Sequence, residues 1–92
     1  MSITIGQLTF DHVHYDATGD VLYLHIGDPQ AAEDYDETAE GHALRFDATG
    51  AVVGVTILNA QWLLDQGKPI AITLPELVAV DPAALASALH AA

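Results

Sequence analysis

His12 and His14 are the residues of this sequence whose spacing best fits chemistry. Two imidazoles two positions apart on a strand point to one side, and Asp16 continues the row. Two ring nitrogens and a carboxylate form a donor set for a divalent metal, held for its own sake or as the Lewis acid of a hydrolase. His25 is a third imidazole close in sequence. The hairpin register expected below sets it on the opposite face, so a three-histidine site does not close. Histidines on a strand are more often half-buried packing residues than ligands. His42 and His90 stand alone, and His90 suits the end of a C-terminal helix, where the dipole favours a cation.

Other templates fail on spacing. Asp34, Asp36, Thr38 and Glu40 alternate like calcium ligands, but an EF-hand loop opening at Asp34 needs glycine sixth and glutamate twelfth. Ala39 and Arg45 stand there. The serines, Ser2 and Ser87, sit in no nucleophile elbow. The glycines are spaced as turns, not as a phosphate-binding loop. Without cysteine there is neither thiol catalysis nor a thiolate metal site. No catalytic residue and no cofactor is expected.

The elements that carry these side chains must fit into 92 residues, enough for one domain spanning 1–92 and too few for two. Arg45 and Lys68 are the basic side chains against 13 Asp and Glu, for a net charge of −11. Two scattered cations do not make a phosphate-binding surface, so direct nucleic-acid binding is disfavoured. The same charge steers a basic protein inward at low salt, although carboxylates also simply keep an apolar, Ala-rich chain soluble. No apolar run approaches membrane-spanning length and the start lacks a basic leader segment. A cytoplasmic protein is expected.

A repeat organises the first half. Tyr15-Asp16-Ala17-Thr18-Gly19 recurs as Phe46-Asp47-Ala48-Thr49-Gly50, and each copy runs into an apolar stretch, Val21–Leu24 and Val52–Val55. Asp suits the start of a type I turn, and Gly the left-handed position that releases the next strand with a bulge. Asp16, Gly19, Asp47 and Gly50 are therefore turn residues. Setting Asp16 opposite Asp20 places Tyr15 against Val21, His14 against Leu22, Val13 against Tyr23 and His12 against Leu24. Phe10, His12, His14, Leu22, Leu24 and Ile26 then share a face. In the second hairpin Leu44, Phe46, Val52 and Leu58 fall on one face, and Val53, Val55 and Ile57 on the other. Strands apolar on both faces predict a sheet that must be sheltered twice. Leu22, Leu24, Val53 and Val55 are the expected oligomer surface, and the expected state is a homodimer. Glu33–Thr38 reads as a charged edge strand or a solvated loop.

Residues 59–92 read as a mainly helical tail. Asn59 is the expected N-cap of a first helix, with Leu58 and Leu63 as its staple and Gly67 and Pro69 as its stop. Trp62 on that helix is expected as a core anchor. Two alternatives compete after Pro69: a strand over Ile70–Leu74, or a capping box Thr73-Leu74-Pro75-Glu76 opening a helix through Val80. Asp81-Pro82 opens a last helix in which Leu85 and Leu89 fall one turn apart.

The two turn motifs also carry a family resemblance. Tyr15-Asp16-Ala17-Thr18-Gly19-Asp20-Val21-Leu22-Tyr23-Leu24, followed by Phe46–Ala60 with its Gly50 turn and Gly54-Val55-Thr56-Ile57-Leu58-Asn59-Ala60, resembles the bacterial DUF2283 family over roughly residues 10–60. Thr56 departs from the family pattern, which often has glutamate there. The resemblance implies an antiparallel sheet in a small bacterial protein and no established activity. Some members are thought to lie beside genes for small toxin-like proteins, which suits an acidic, antitoxin-like interaction role. The expected fold is α+β: an antiparallel meander of two related hairpins, turning at 16–20 and 47–51, with short C-terminal helices packed on one face.

Overall fold

The computed structural model describes residues 2–27, 34–67, 70–73, 77–80 and 82–91. Its centre is a five-stranded antiparallel sheet of β3 (His12–Asp16), β4 (Val21–His25), β7 (Val52–Leu58), β6 (Ala43–Phe46) and β5 (Asp34–Glu37), in that spatial order. The related hairpins are β3–β4 and β6–β7, joined through their second strands. That junction explains the apolar runs after both turns, because β4 and β7 sit inside the sheet. Glu33 lies outside the described residues, and Asp34–Glu37 forms an edge strand, fully exposed, whose like charges discourage further strand addition.

Two small hairpins, β1–β2 (Ile3–Ile5 with Leu8–Phe10) and β8–β9 (Ile70–Thr73 with Leu77–Val80), accompany helices α1 (Ala60–Asp65) and α2 (Pro82–Ala91). Of the two alternatives after Pro69, the strand over Ile70–Leu74 is found, as Ile70–Thr73. In place of the helix through Val80 a second strand pairs with it, with Ile72 of the first and Val80 of the second buried in the core. The expected cap Asp81 and the stop residue Pro69 lie outside the described residues. Helix α2 packs on β1 and β3, and β1 packs on β9. Its buried Leu85, Ala88 and Leu89 join Phe10, Ile3, Ile5, Leu22, Leu24, Leu44, Val55 and Ile57 in one core cluster. One face of the sheet is therefore covered by this chain itself.

That coverage corrects the expected oligomer surface. Leu22, Leu24 and Val55 are 0%, 2% and 1% exposed inside the chain's own core, while Val53 is half-buried. Leu44 also pairs with Val55 and shares its face, because the ladder shifts between Arg45 and Phe46. Val53 is the extra residue at that bulge, so Val52 and Val55, three apart, both pack on the core. Trp62 is not a core anchor either: it is 60% exposed.

His42 stands just before β6 and is buried. The Leu58 N–H donates to His42 Nδ1 at 3.3 Å, and the His42 N–H donates to Thr38 Oγ1 at 3.1 Å. Burial pushes the His42 imidazolium below its ordinary 6.5, against an opposing pull from the Glu40 charge. The unfolded chain therefore takes up a proton first, and stability falls as pH drops below about 6.5 and through the lower folded value. A His42→Asn variant, with an amide oxygen in place of Nδ1, should flatten that part of the thermal-unfolding profile between neutral pH and about pH 5. An unchanged slope would refute the assignment.

Candidate functional site

The face of the sheet away from the core is where sequence chemistry and tertiary structure meet. In β3–β4 the pairs are His12 with His25, His14 with Tyr23, and Asp16 with Val21. This is one residue out of step with the expected register. Because side chains alternate with period two, that single step carries His25 from the core face to the face of His12 and His14. The second hairpin adopts the register expected for the first, with Phe46 opposite Val52. The repeat in sequence is not a repeat in register.

The cause lies in the turns. Asp47 behaves as expected: its Oδ1 accepts from the Thr49 N–H at 2.9 Å, the Thr49 hydroxyl at 2.6 Å and the Ala51 N–H at 3.1 Å. These bonds, the Thr49 hydroxyl first, hold its carboxyl below the usual range. Gly50 takes the left-handed conformation at φ +84. In the first turn Asp16 Oδ1 accepts from the Thr18 N–H at 3.1 Å, but the left-handed residue is Asp20, at φ +55, and not Gly19.

Asp20 is held there by α1. Its carboxylate accepts from the Gln61 N–H at 2.7 Å and the Trp62 N–H at 3.2 Å, and its backbone oxygen from the Ala60 N–H at 3.1 Å. The Tyr15 hydroxyl donates to the same carboxylate at 2.7 Å. Asp20 thus caps the helix from across the sheet. Asn59, the expected cap, is itself left-handed at φ 56 and its side chain makes no cap bond. Partial burial pushes the Asp20 carboxyl up, but the Gln61, Tyr15 and Trp62 donors outweigh it and hold it below the usual value. The sequence signal for this role was an aspartate after the first Asp-Ala-Thr-Gly where the second copy has Ala51.

The register brings His12, His14, Tyr23, His25, Arg45 and Thr56 around a groove of about 350 Å³. Gly54 lies between β4 and β6, opposite both His25 and Arg45. A Cβ at Gly54 would stand 3.0 Å from His25 Cδ2 and 3.2 Å from Arg45 Cβ, so the bare backbone lets both side chains close in. His14 stacks on Tyr23, with ring centroids 6.0 Å apart. His25 is 7% exposed, and its Nδ1 lies 3.3 Å from the Gly27 carbonyl. A carbonyl only accepts, so Nδ1 is the protonated nitrogen. Nε2 is buried without a partner among the described residues. Asp11, just before β3, accepts from the Gly27 N–H at 2.9 Å, and that bond holds its carboxyl below the usual range.

The expected metal set is not assembled. His12, His14 and Asp16 share a face, but among the described residues no three His or carboxylate side chains lie close enough to hold one ion.

The family model described as a protein of unknown function (DUF2283) matches residues 12–61, more than half of the chain. The chain belongs to the DUF2283 family. The matched segment runs from His12 to Gln61, so it contains the whole five-stranded sheet, the groove, and Asp20 with its Gln61 donor. Comparison with curated proteins and with solved structures finds no match. In this DUF2283 chain no described helix is long and apolar enough to cross a membrane.

Proposed function

We propose that this DUF2283 protein is a non-enzymatic interaction module that pairs with a second copy of itself through the outer face of its sheet. The observation that carries this reading is the distribution of exposed apolar side chains. The chain covers one sheet face and leaves Tyr23, Leu58 and, at the β5 edge, Tyr35 on the other, 43%, 42% and 74% exposed, with Trp62 on the helix that follows Leu58. Val21 pairs with Leu58 there, so the apolar end of the face is where β7 runs into α1. Asp16 and Glu37 are the acidic members among the described strand positions of this face. A chain of net charge −11 approaches its own copy with least repulsion across such a surface.

The acidic β5 edge, with Asp34, Asp36 and Glu37 exposed, then remains free to meet a basic protein. Neutralising a small basic toxin-like protein is one use of such an edge. The two contacts respond to salt with opposite sign. Self-association of like-charged copies strengthens as salt rises, whereas capture of a basic protein weakens. Sedimentation equilibrium at low and high salt should show a dimer population that grows with salt. Leu58→Asp, an exposed substitution, should hold the chain monomeric without unfolding it. A wild-type chain that stays monomeric across the series would overturn the reading.

A further inference from the structure

We infer that the groove over Gly54 is an oxyanion site, which takes a small molecule by its carboxylate or phosphate group. The groove lies at the end of the outer face opposite Leu58 and shares Tyr23 with the self-association surface, so anion binding is tested at Arg45 and His12, which that surface does not use.

Lining chemistry is the first support. The chain has two Lys and Arg and five His against 13 carboxylates. Arg45, His12, His14 and His25 all line this groove, and none of its described lining residues is a carboxylate, the nearby Asp11 carboxylate being bonded to the Gly27 N–H. Among the described residues, the Arg45 side chain has no ion pair or hydrogen bond, although its backbone is paired in β6. In so acidic a chain, an arginine left unpaired and turned to a concavity is set out for an anion from outside, in the planar, two-pronged geometry that carboxylate and phosphate match. The Tyr23 and Thr56 hydroxyls are further donors.

The buried imidazole is the second and independent support. His25 is more than nine-tenths buried, its Nδ1–H is committed to the Gly27 carbonyl, and its Nε2 has no partner among the described residues. A buried nitrogen left unpaired costs free energy that a ligand at the groove would recover. With Nδ1 bonded to the Gly27 carbonyl, Nε2 is the ring nitrogen of His25 left for a ligand in the groove that His25 lines. Gly54 completes the arrangement, since any Cβ there would push His25 and Arg45 apart. The stacked His14 and Tyr23 rings offer a flat wall to the carbon framework of the ligand. A volume of about 350 Å³ suits a metabolite-sized molecule.

A divalent cation is the competing occupant. An unpaired guanidinium beside the imidazoles opposes it, and no third ligand is within reach. Protons separate the two cases, because a cation competes with them for His25 and an anion gains from them. The groups that bear on this nitrogen are His12 and His14 on β3, Tyr23 on β4, Arg45 on β6 and the Asp11 carboxylate before β3.

The test uses the full chain without a histidine tag, titrated separately with inorganic phosphate, benzoate and zinc. Thermal shift and the imidazole proton signals in NMR are the readouts. Benzoate or phosphate should saturate, raise the unfolding temperature and move the His12 and His25 signals, and whichever probe binds more tightly names the group recognised. Benzoate keeps its charge between pH 8 and pH 6, so it carries the pH comparison and should bind more tightly at pH 6. Arg45→Gln, an exposed change that leaves the core intact, should weaken binding about tenfold or more, as loss of a charge-assisted bond does. His12→Gln should weaken it less, and Asp65→Asn on α1 not at all. The inference fails if neither anion moves those signals at pH 6, if Arg45→Gln binds like the wild type, or if zinc alone shifts His12 and His25.

Discussion

An Asp20→Ala chain is expected to lose about 2 kcal/mol of stability at neutral pH, a large share of what a domain of this size has. The substitution strips α1 of two N–H bonds to the carboxylate, at 2.7 and 3.2 Å, and leaves the Tyr15 hydroxyl without its acceptor. It also puts alanine at φ +55, a conformation that aspartate tolerates better. Urea unfolding followed by far-UV circular dichroism measures the loss. Tyr15→Phe removes one of these bonds and should cost less. The contribution also depends on pH. The folded carboxyl lies below its ordinary 3.8, so its share is complete well above that value and disappears as pH falls through the folded one. Asp20→Asn, which never ionises, should therefore differ from wild type at neutral pH and converge with it in acid. A midpoint for Asp20→Ala within error of wild type would remove Asp20 from its place as the helix cap.

Leu22→Ala should cost still more, about 3 kcal/mol, because Leu22 is 0% exposed and its removal leaves a cavity between the sheet and the elements packed on it. The consequence for assembly is the sharper part. If Leu22, Leu24 and Val55 formed the surface between two copies, truncation would change the oligomeric state and leave the protomer folded. As core residues they do the reverse. The unfolding midpoint should fall steeply while sedimentation of the folded fraction stays as in wild type. Leu58→Asp reverses the pattern again, since Leu58 is 42% exposed on the other face. The two variants together assign each face of the sheet its role, and a Leu22→Ala chain of wild-type stability would return that residue to the surface.

The family was legible from residues 15–24 and 46–60, because turn chemistry is local. An aspartate that accepts from the N–H two positions on, as Asp16 does from Thr18 and Asp47 from Thr49, works the same way wherever the chain lies. The two hairpins and the helix that stops before Gly67 follow from such short-range preferences, whereas Glu33–Thr38 fits an edge strand or a solvated loop by the same preferences. Trp62 was misplaced because an isolated aromatic on a six-residue helix carries no periodicity to say which side is buried. The stretch after Pro69 stays open in the sequence for a related reason: short apolar runs fit a strand over Ile70–Leu74 or a helix through Val80 equally well, and the second strand, Leu77–Val80, has no signal of its own.

The site depended on one decision that local preference leaves nearly even. Asp-Ala-Thr-Gly closes a hairpin in either of two registers, and this chain uses both, Tyr15 opposite Leu22 but Phe46 opposite Val52. What separates them is Asp20, drawn into the left-handed region by α1 donors 41 and 42 residues further along. Sequence alone determined that three histidines ride on one hairpin. Tertiary structure decided that they share a face, because the pleat alternates with period two and a contact from outside the hairpin set the count.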